Sequence, residues 1–271
     1  MKNIDTCRKC KNQKFENTQG IICGLTNAKP TFEETCPEFI RNEEIKTIEY
    51  KFTKPNDKRA TAAMILVGIV LFFEIITLFS DYFQFKLAKL AQEGGNITTS
   101  MIENNDLRQL VVYLLFMVVY GISAVTFIQW FRRGYNNLHQ RINHCNQKEH
   151  WAVSSWFIPI ICLFRPFQIM KEMWDETLEL LKQYDKDYYP HDKTSILTWW
   201  WSLWIISSFA GNIVLRYGFT TDTAAELMNY TLASMIHSII AISLAIFTLK
   251  MINSYSDMEA ALEEKENATN N

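Results

Sequence analysis

The run from Ala60 to Phe83 carries only two charged residues, Glu74 and Asp81. As a helix at about 1.5 Å per residue it is long enough to cross a hydrocarbon core of roughly 30 Å. Similar runs follow at about Gln109 to Phe131, Ser195 to Tyr217 and Tyr230 to Ile252. Apolar residues make up 48% of the chain, an ordinary share, so it is their concentration into spans that sets the class. The expected fold is an all-α polytopic membrane protein. It has four transmembrane helices, a short re-entrant or interfacial helix, and a small N-terminal cysteine-rich metal-binding module. Lys and Arg number 27 against 29 Asp and Glu, so no global basic field points to nucleic acid.

Trp151 to Phe164 is a different kind of run. It is uncharged but only about 21 Å long as a helix. Pro159 interrupts it, removing a backbone donor. Arg165 then ends the apolar run, and Pro166 suits the first turn of a new helix. Beyond it, Phe167, Met170, Trp174, Leu178 and Leu181 recur at steps of three and four, one apolar face of an amphipathic helix. The stretch 151–184 therefore reads as a broken insertion feeding a helix at the membrane surface. A plain spanning helix from Trp151 to Met170, with Arg165 reaching back to the interface, is the competing reading. Arg133, Asn136 and Asn137, beside Trp130, are expected to hydrogen-bond the broken backbone near Pro159. Arg165 is a candidate for lipid phosphate.

These residues carry a resemblance. Trp151-Ala-Val, Trp156-Phe-Ile-Pro159, Arg165-Pro166, Met170 and Trp174 resemble the signature of the bacterial membrane family called domain of unknown function 4328. Trp130-Phe-Arg-Arg133 with Asn137-Leu138, and Trp199-Trp200 with Trp204, resemble its flanking segments. The likeness covers roughly residues 60 to 250. Where the family usually shows Gly or Pro-Gly around the first tryptophan, this chain has His150 before it and Ser154-Ser155 after it. The resemblance implies a polytopic membrane protein and supplies no activity.

Ahead of the spans, Cys7 and Cys10 form a C-x-x-C pair, followed by Cys23 and Cys36. Four thiolates can close a tetrahedral site. A segment this small buries little core, so a metal would supply its folding free energy. Gly20 and Gly24 flank Cys23 and permit a tight backbone there. Structural zinc, an iron–sulfur cluster, and free, redox-active or disulfide-bonded thiols all remain open. The pieces around Cys23 and Cys36 resemble a short cysteine-rich module found ahead of membrane segments in some bacterial proteins. The expected organisation is a cysteine module at 1–45, a tether at 46–58, a helical membrane domain at 59–255, and an acidic flexible tail at 256–271.

Residues 1–20 are polar, so no cleavable signal is expected and the N-terminus is placed in the cytosol. Lys46, Lys51, Lys54, Lys58 and Arg59 hold the tether on that side. If Trp151–Phe164 does not cross, Arg132, Arg133, Arg141, Lys148, Arg165, Lys171, Lys182, Lys186 and Lys193 are all cytosolic. The cation-free loop 218–229 is then external, and both termini lie inside. A five-span arrangement would put five of those nine cations outside.

Glu74, Asn212, Arg216 and His237 fall within spans, where ionisable residues are expensive. In the four-span arrangement Glu74 and Arg216 share the outer half and are expected to couple. His139, His144, Cys145 and His150 fit no standard metal spacing. There is no phosphate-binding glycine loop, His-Glu-x-x-His helix or G-x-S-x-G elbow. The expected function is a non-enzymatic sensor, scaffold or docking protein of the bacterial inner membrane. It would carry structural zinc and meet a protein partner through the cysteine module. The alternatives are a small transporter or channel using Glu74, Asn212 and Arg216, and a membrane redox protein with an iron–sulfur cluster.

Overall fold

In the structure, a computed structural model, residues 6–7, 10–16, 20–32, 36–40, 53–219 and 221–270 are described. The part of the tether from residue 46 to 52, with Lys46 and Lys51, lies outside them. The chain forms two units. One joins Met1–Lys54 to Asn136–Lys148, and the other joins Pro55–Tyr135 to Glu149–Asn271.

The larger unit is helical. Helix α1 (Asp57–Gln92) begins with Asp57 in its first turn. It ends where Gly94 adopts a left-handed φ of 74° and the Gly95 N–H reaches back to the Leu90 carbonyl at 3.0 Å, a glycine-based stop. Helix α2 (Thr99–Arg141) follows at once. The Thr98 hydroxyl accepts from the Met101 N–H at 3.4 Å and caps its start. After a single turn, α3 (Trp151–Ser154), and a 3-10 turn at Ile161–Leu163, come α4 (Arg165–Tyr184), α5 (Ser195–Gly218) and α6 (Ala224–Asn270). Thr223 and Glu226 form a reciprocal capping box at the start of α6. The Thr223 hydroxyl accepts from the Glu226 N–H, and the Glu226 carboxylate accepts from the Thr223 N–H.

The four long helices alternate in direction. Arg59 donates to the Gln129 carbonyl near one end of the α1–α2 pair, and Gln109 donates to Asp81 near the other. Gln84 donates to Thr231 while Asn56 donates to Glu259, so α6 runs opposite to α1. On α5, Trp200 stands by Phe127 and Gly218 stands by Tyr230, so α5 runs with α1. Helix α6 is the axis, with α1, α4 and α5 all packed against it.

Polarity is reversed relative to a water-soluble bundle. On α1, Ile65, Ile69, Phe72, Ile75 and Phe79 are exposed, whereas Glu74, Asp81 and Gln84 are buried. So much exposed apolar surface is foreign to a water-soluble monomer. Three helices, Asp57–Gln92, Thr99–Arg141 and Ala224–Ala268, are long and apolar enough to cross a membrane. Helix α5 falls short of that measure because Trp199, Trp200, Trp201 and Trp204 are amphipathic and score low for hydropathy.

Trp151–Phe164 is not a continuous helix, so the plain spanning reading fails. The chain turns at Ser155–Ile160, and Ile160 takes a φ of 67°, which a β-branched side chain adopts only under strain. The Trp201 indole N–H donates to this segment, at 3.1 Å to the Leu163 carbonyl. In the smaller unit Asn137 brackets Lys54, accepting from its N–H at 3.1 Å and donating to its carbonyl at 3.0 Å. Helix α4 starts beside Pro166 as expected, burying Ile169, Met170, Met173, Trp174, Thr177 and Leu181.

Two further expectations need correction. The acidic tail is helical as far as Asn270. Its residues Met258, Leu262 and Glu266 extend a buried stripe from Met251, Ile252 and Tyr255, at steps that keep one face inward. The smaller unit is not all-α. It contains an antiparallel hairpin of β1 (Gln13–Glu16) and β2 (Gly20–Cys23), pairing Gln13 with Cys23.

Helix α2 depends on a small residue. A Cβ at Gly134 would fall 2.6 Å from the Met173 methyl and 3.1 Å from the Tyr255 ring. Gly134→Leu should destabilise the protein by about 1–3 kcal/mol through overpacking. Gly134→Ala should cost much less, because the Met173 methyl can swing away. Thermal melting of the purified variants in detergent checks the ordering.

Candidate functional site

In the smaller unit all four N-terminal cysteines open tight turns. The Cys7 carbonyl accepts from the Cys10 N–H, Cys10 from Gln13, and Cys36 from Phe39, each three residues on; Cys23 accepts from Asn27, four on. Gly24 is required at the hairpin, since its N–H meets the Asn12 carbonyl at 2.6 Å and a Cβ there would crowd the same oxygen at 2.9 Å. Cys7, Cys10, Cys23 and Cys36 line one cavity of about 10 Å³, the scale of a single water or ion. Their thiols are free. Among the described residues no group of three or more His, Cys, Asp or Glu is already drawn into metal-coordination geometry. The thiols converge, but not to ligand spacing.

Their environments differ. The backbone N–H groups of Thr26, first, and Leu25 point at the Cys23 sulfur and hold its thiol below the ordinary range. Burial, and then the neighbouring Cys36, Cys10 and Cys23, push the Cys7 thiol up.

Among the described residues of the larger unit lie adjoining cavities of about 550 and 650 Å³. They share Glu74, Phe116, Met117, Gly211, Leu215 and His237 as walls. Helix α1 supplies Glu74, only 5% exposed, with Ser238 of α6 facing its carboxyl. Helix α6 supplies His237, whose Nε2 lies 3.2 Å from the Ser207 hydroxyl of α5. Gly211 makes room for that ring, since a Cβ there would stand 3.3 Å from His237 Nε2.

A polar network closes one end. Arg108 donates to Ser80 and Asn105, Asn105 donates to Gln84, and Gln84 donates to Thr231. The other end is aromatic. Trp156 contacts Phe127, Phe131, Trp201 and Trp204, and Trp201 and Trp204 stack at 4.7 Å.

Of the sequence candidates, Glu74, Asn212 and His237 come together around the 550 Å³ cavity. Arg216 does not join them. It is exposed, lines neither cavity and makes no ion pair with Glu74 among the described residues. Trp130 and Trp174 are core residues, fully buried. The Arg165 guanidinium lies 4.9 Å from the centre of the Trp151 ring. Sequence reading missed Tyr120 and Ser207 on the 550 Å³ cavity and Ser234 and Ser238 on the other, whose types carry no signal until the helices are brought together.

The profile of one protein family, Domain of unknown function (DUF4328), matches residues 93–257. The chain belongs to this family. No curated protein and no solved structure matches it. The DUF4328 match runs from the end of α1 well into α6, and so takes in Asn212, His237 and the tryptophan cluster. Helix α1 with Glu74, and the four-cysteine module, lie outside the matched residues, which begin later than the resemblance from about residue 60 implies.

The cysteine environments predict an order of reactivity. In protein stripped with a chelator, Cys23 should be alkylated by iodoacetamide faster than Cys7 at neutral pH. Its rate should rise at lower pH than that of Cys7, because a lowered thiol pKa gives thiolate earlier. Peptide mass spectrometry of a timed alkylation reads both rates.

Proposed function

We propose that this protein is a membrane-anchored docking protein whose head is a structural zinc module. Its membrane domain crosses a bacterial inner membrane four times, and both termini lie in the cytosol. One observation carries the zinc reading: four cysteines, each opening a tight turn, surround a single ion-sized space. Binding would draw the four turns inward, since the thiols do not stand at ligand spacing without the metal. Backbone N–H groups already directed at the Cys23 sulfur favour its thiolate. With four protein ligands such a site is closed, so zinc would hold the fold and not perform chemistry. Leu25 and Ile40, exposed beside Cys23 and after Cys36, offer apolar contact to a protein partner.

The fourth crossing rests on α5. It runs alongside three helices of membrane-spanning character and alternates in direction with them. The segment between α2 and α5 leaves and returns at the same end, with Trp156 between Phe131 and Trp201. That keeps its cations on one side, as the positive-inside rule favours. Phe157 and Ile160, 71% and 74% exposed, would dip from that side into the bilayer as a re-entrant or interfacial element.

Elemental analysis of the purified full-length protein should find one zinc per chain and no visible absorption band, with the metal lost in Cys10→Ser. Iron and sulfide with a visible band would replace docking by electron transfer, and metal-free protein would sink the module reading. For topology, a cysteine placed at Asp222 should react with an impermeant maleimide in intact spheroplasts, and one at Lys148 should not. Labelling only after lysis at position 222 would mean that α5 does not cross.

A further inference from the structure

We propose that the cavity between α1, α2, α5 and α6 is a binding site for an organic monocation with an apolar body. This is an activity separate from docking by the cysteine module.

The argument begins with charge. Glu74 and Asp81 are both buried on α1, but their surroundings differ. Asp81 accepts a hydrogen bond from Gln109 and has the Arg108 guanidinium near it. Glu74 has Ser238 beside it and, among the described residues, no lysine or arginine in either cavity that it borders. His237, the other ionisable wall they share, is engaged with Ser207. A carboxylate at membrane depth needs a positive partner to remain ionised, and no lysine or arginine among the described residues stands in either cavity to supply one. A bound cation would provide it.

The remaining walls narrow the kind of cation. Phe116, Tyr120, Phe127, Trp156, Trp200 and Trp204 surround the 550 Å³ cavity. Aromatic faces attract cations through their quadrupoles, and quaternary or substituted ammonium groups are bound in this way. Among the described residues Glu74 is the one carboxylate on the 550 Å³ cavity, and the other side-chain oxygens there are neutral hydroxyls and the Asn212 amide, a weakly charged shell for a small hard cation. The space is of the size that holds drug-like ligands and is far larger than a single ion needs. An acyl chain would fill the aromatic end but leave Glu74 unpaired. Charge, shape and wall chemistry therefore agree on a molecule with an aromatic or aliphatic body and one cationic centre placed near Glu74.

Tritiated tetraphenylphosphonium serves as the probe, with neutral triphenylphosphine oxide as its uncharged counterpart. Both are offered to the full-length protein in nanodiscs of zwitterionic lipid. The expected result is saturable binding of one phosphonium per chain, competed by benzyltrimethylammonium and not by the oxide. Glu74→Gln should weaken it by about tenfold or more, the loss of one charge-assisted contact in an apolar site. Ala241→Phe keeps the carboxylate but fills the cavity wall, and should abolish binding even if Glu74→Gln folds poorly. Equal competition by the neutral oxide would make the cavity a lipid or apolar-solute site and overturn the proposal. Binding unchanged in either folded variant, or no saturable binding at all, would overturn it as well.

Discussion

Everything in the membrane domain follows from one constraint: polar groups have no water to turn to on the outer surface of the helices. In hydrocarbon an unsatisfied polar group costs several kcal/mol, so Gln84, Asn105, Arg108 and Thr231 must find each other across three helices. These contacts fix the register of α1, α2 and α6 near one end. Near the other, Asn56 does the same work, donating to Glu259 at 2.9 Å and contacting the Trp130 carbonyl at 3.4 Å. Between the two polar ends, van der Waals packing carries the bundle. There a small residue such as Gly211 lets a side chain from a neighbouring helix come close, as Gly134 does at the Asn56 end.

The same constraint explains the break after Trp156. A helix interrupted by Pro159 leaves carbonyls without donors, and the Trp201 indole reaches one of them at Leu163. The tryptophans of α5 are thus more than interface anchors. Trp200 and Trp201 are buried, and Trp201 stacks on both Trp204 and Phe167. A helix that scores poorly as a membrane span gains its place through aromatic packing against the broken segment and α6. Hydropathy summed along a sequence counts each tryptophan as nearly polar and has no term for that packing.

How far the sequence was legible follows the range of the interactions. Three helices of membrane-spanning character, the break at Pro159, the start of α4 beside Pro166 and its inward face could be read, because each depends on residues close in the chain. The helix at the acidic end could also have been read. Met251, Tyr255, Met258 and Leu262 keep step, but the acidic composition obscured the stripe. The capping box Thr223-Ala-Ala-Glu226 was equally local and was overlooked. What could not be read was long-range: the joining of 136–148 to the N-terminal residues, Asn137 bracketing Lys54, and the choice of partners for Glu74. Pairing Glu74 with Arg216 rested on equal depth along two helices. Depth fixes height but not the direction in which a side chain faces, and Arg216 faces outward.

That rotational difference gives Glu74 its interest. If the carboxylate served only to bind helices together, an inward arginine or a ring of amides would be the economical solution, as at Asp81 with Gln109 and Arg108. Instead α1 presents Glu74 to a cavity whose other walls are largely aromatic and aliphatic, with Ser238 as its neighbour. Removing a buried charge that has its partner within the protein strands that partner and costs several kcal/mol. Removing one that has none relieves desolvation and should be neutral or stabilising. A purely structural role therefore makes Glu74→Gln harmful to the fold, whereas a ligand-facing role makes it benign to the fold and costly only to whatever occupies the cavity.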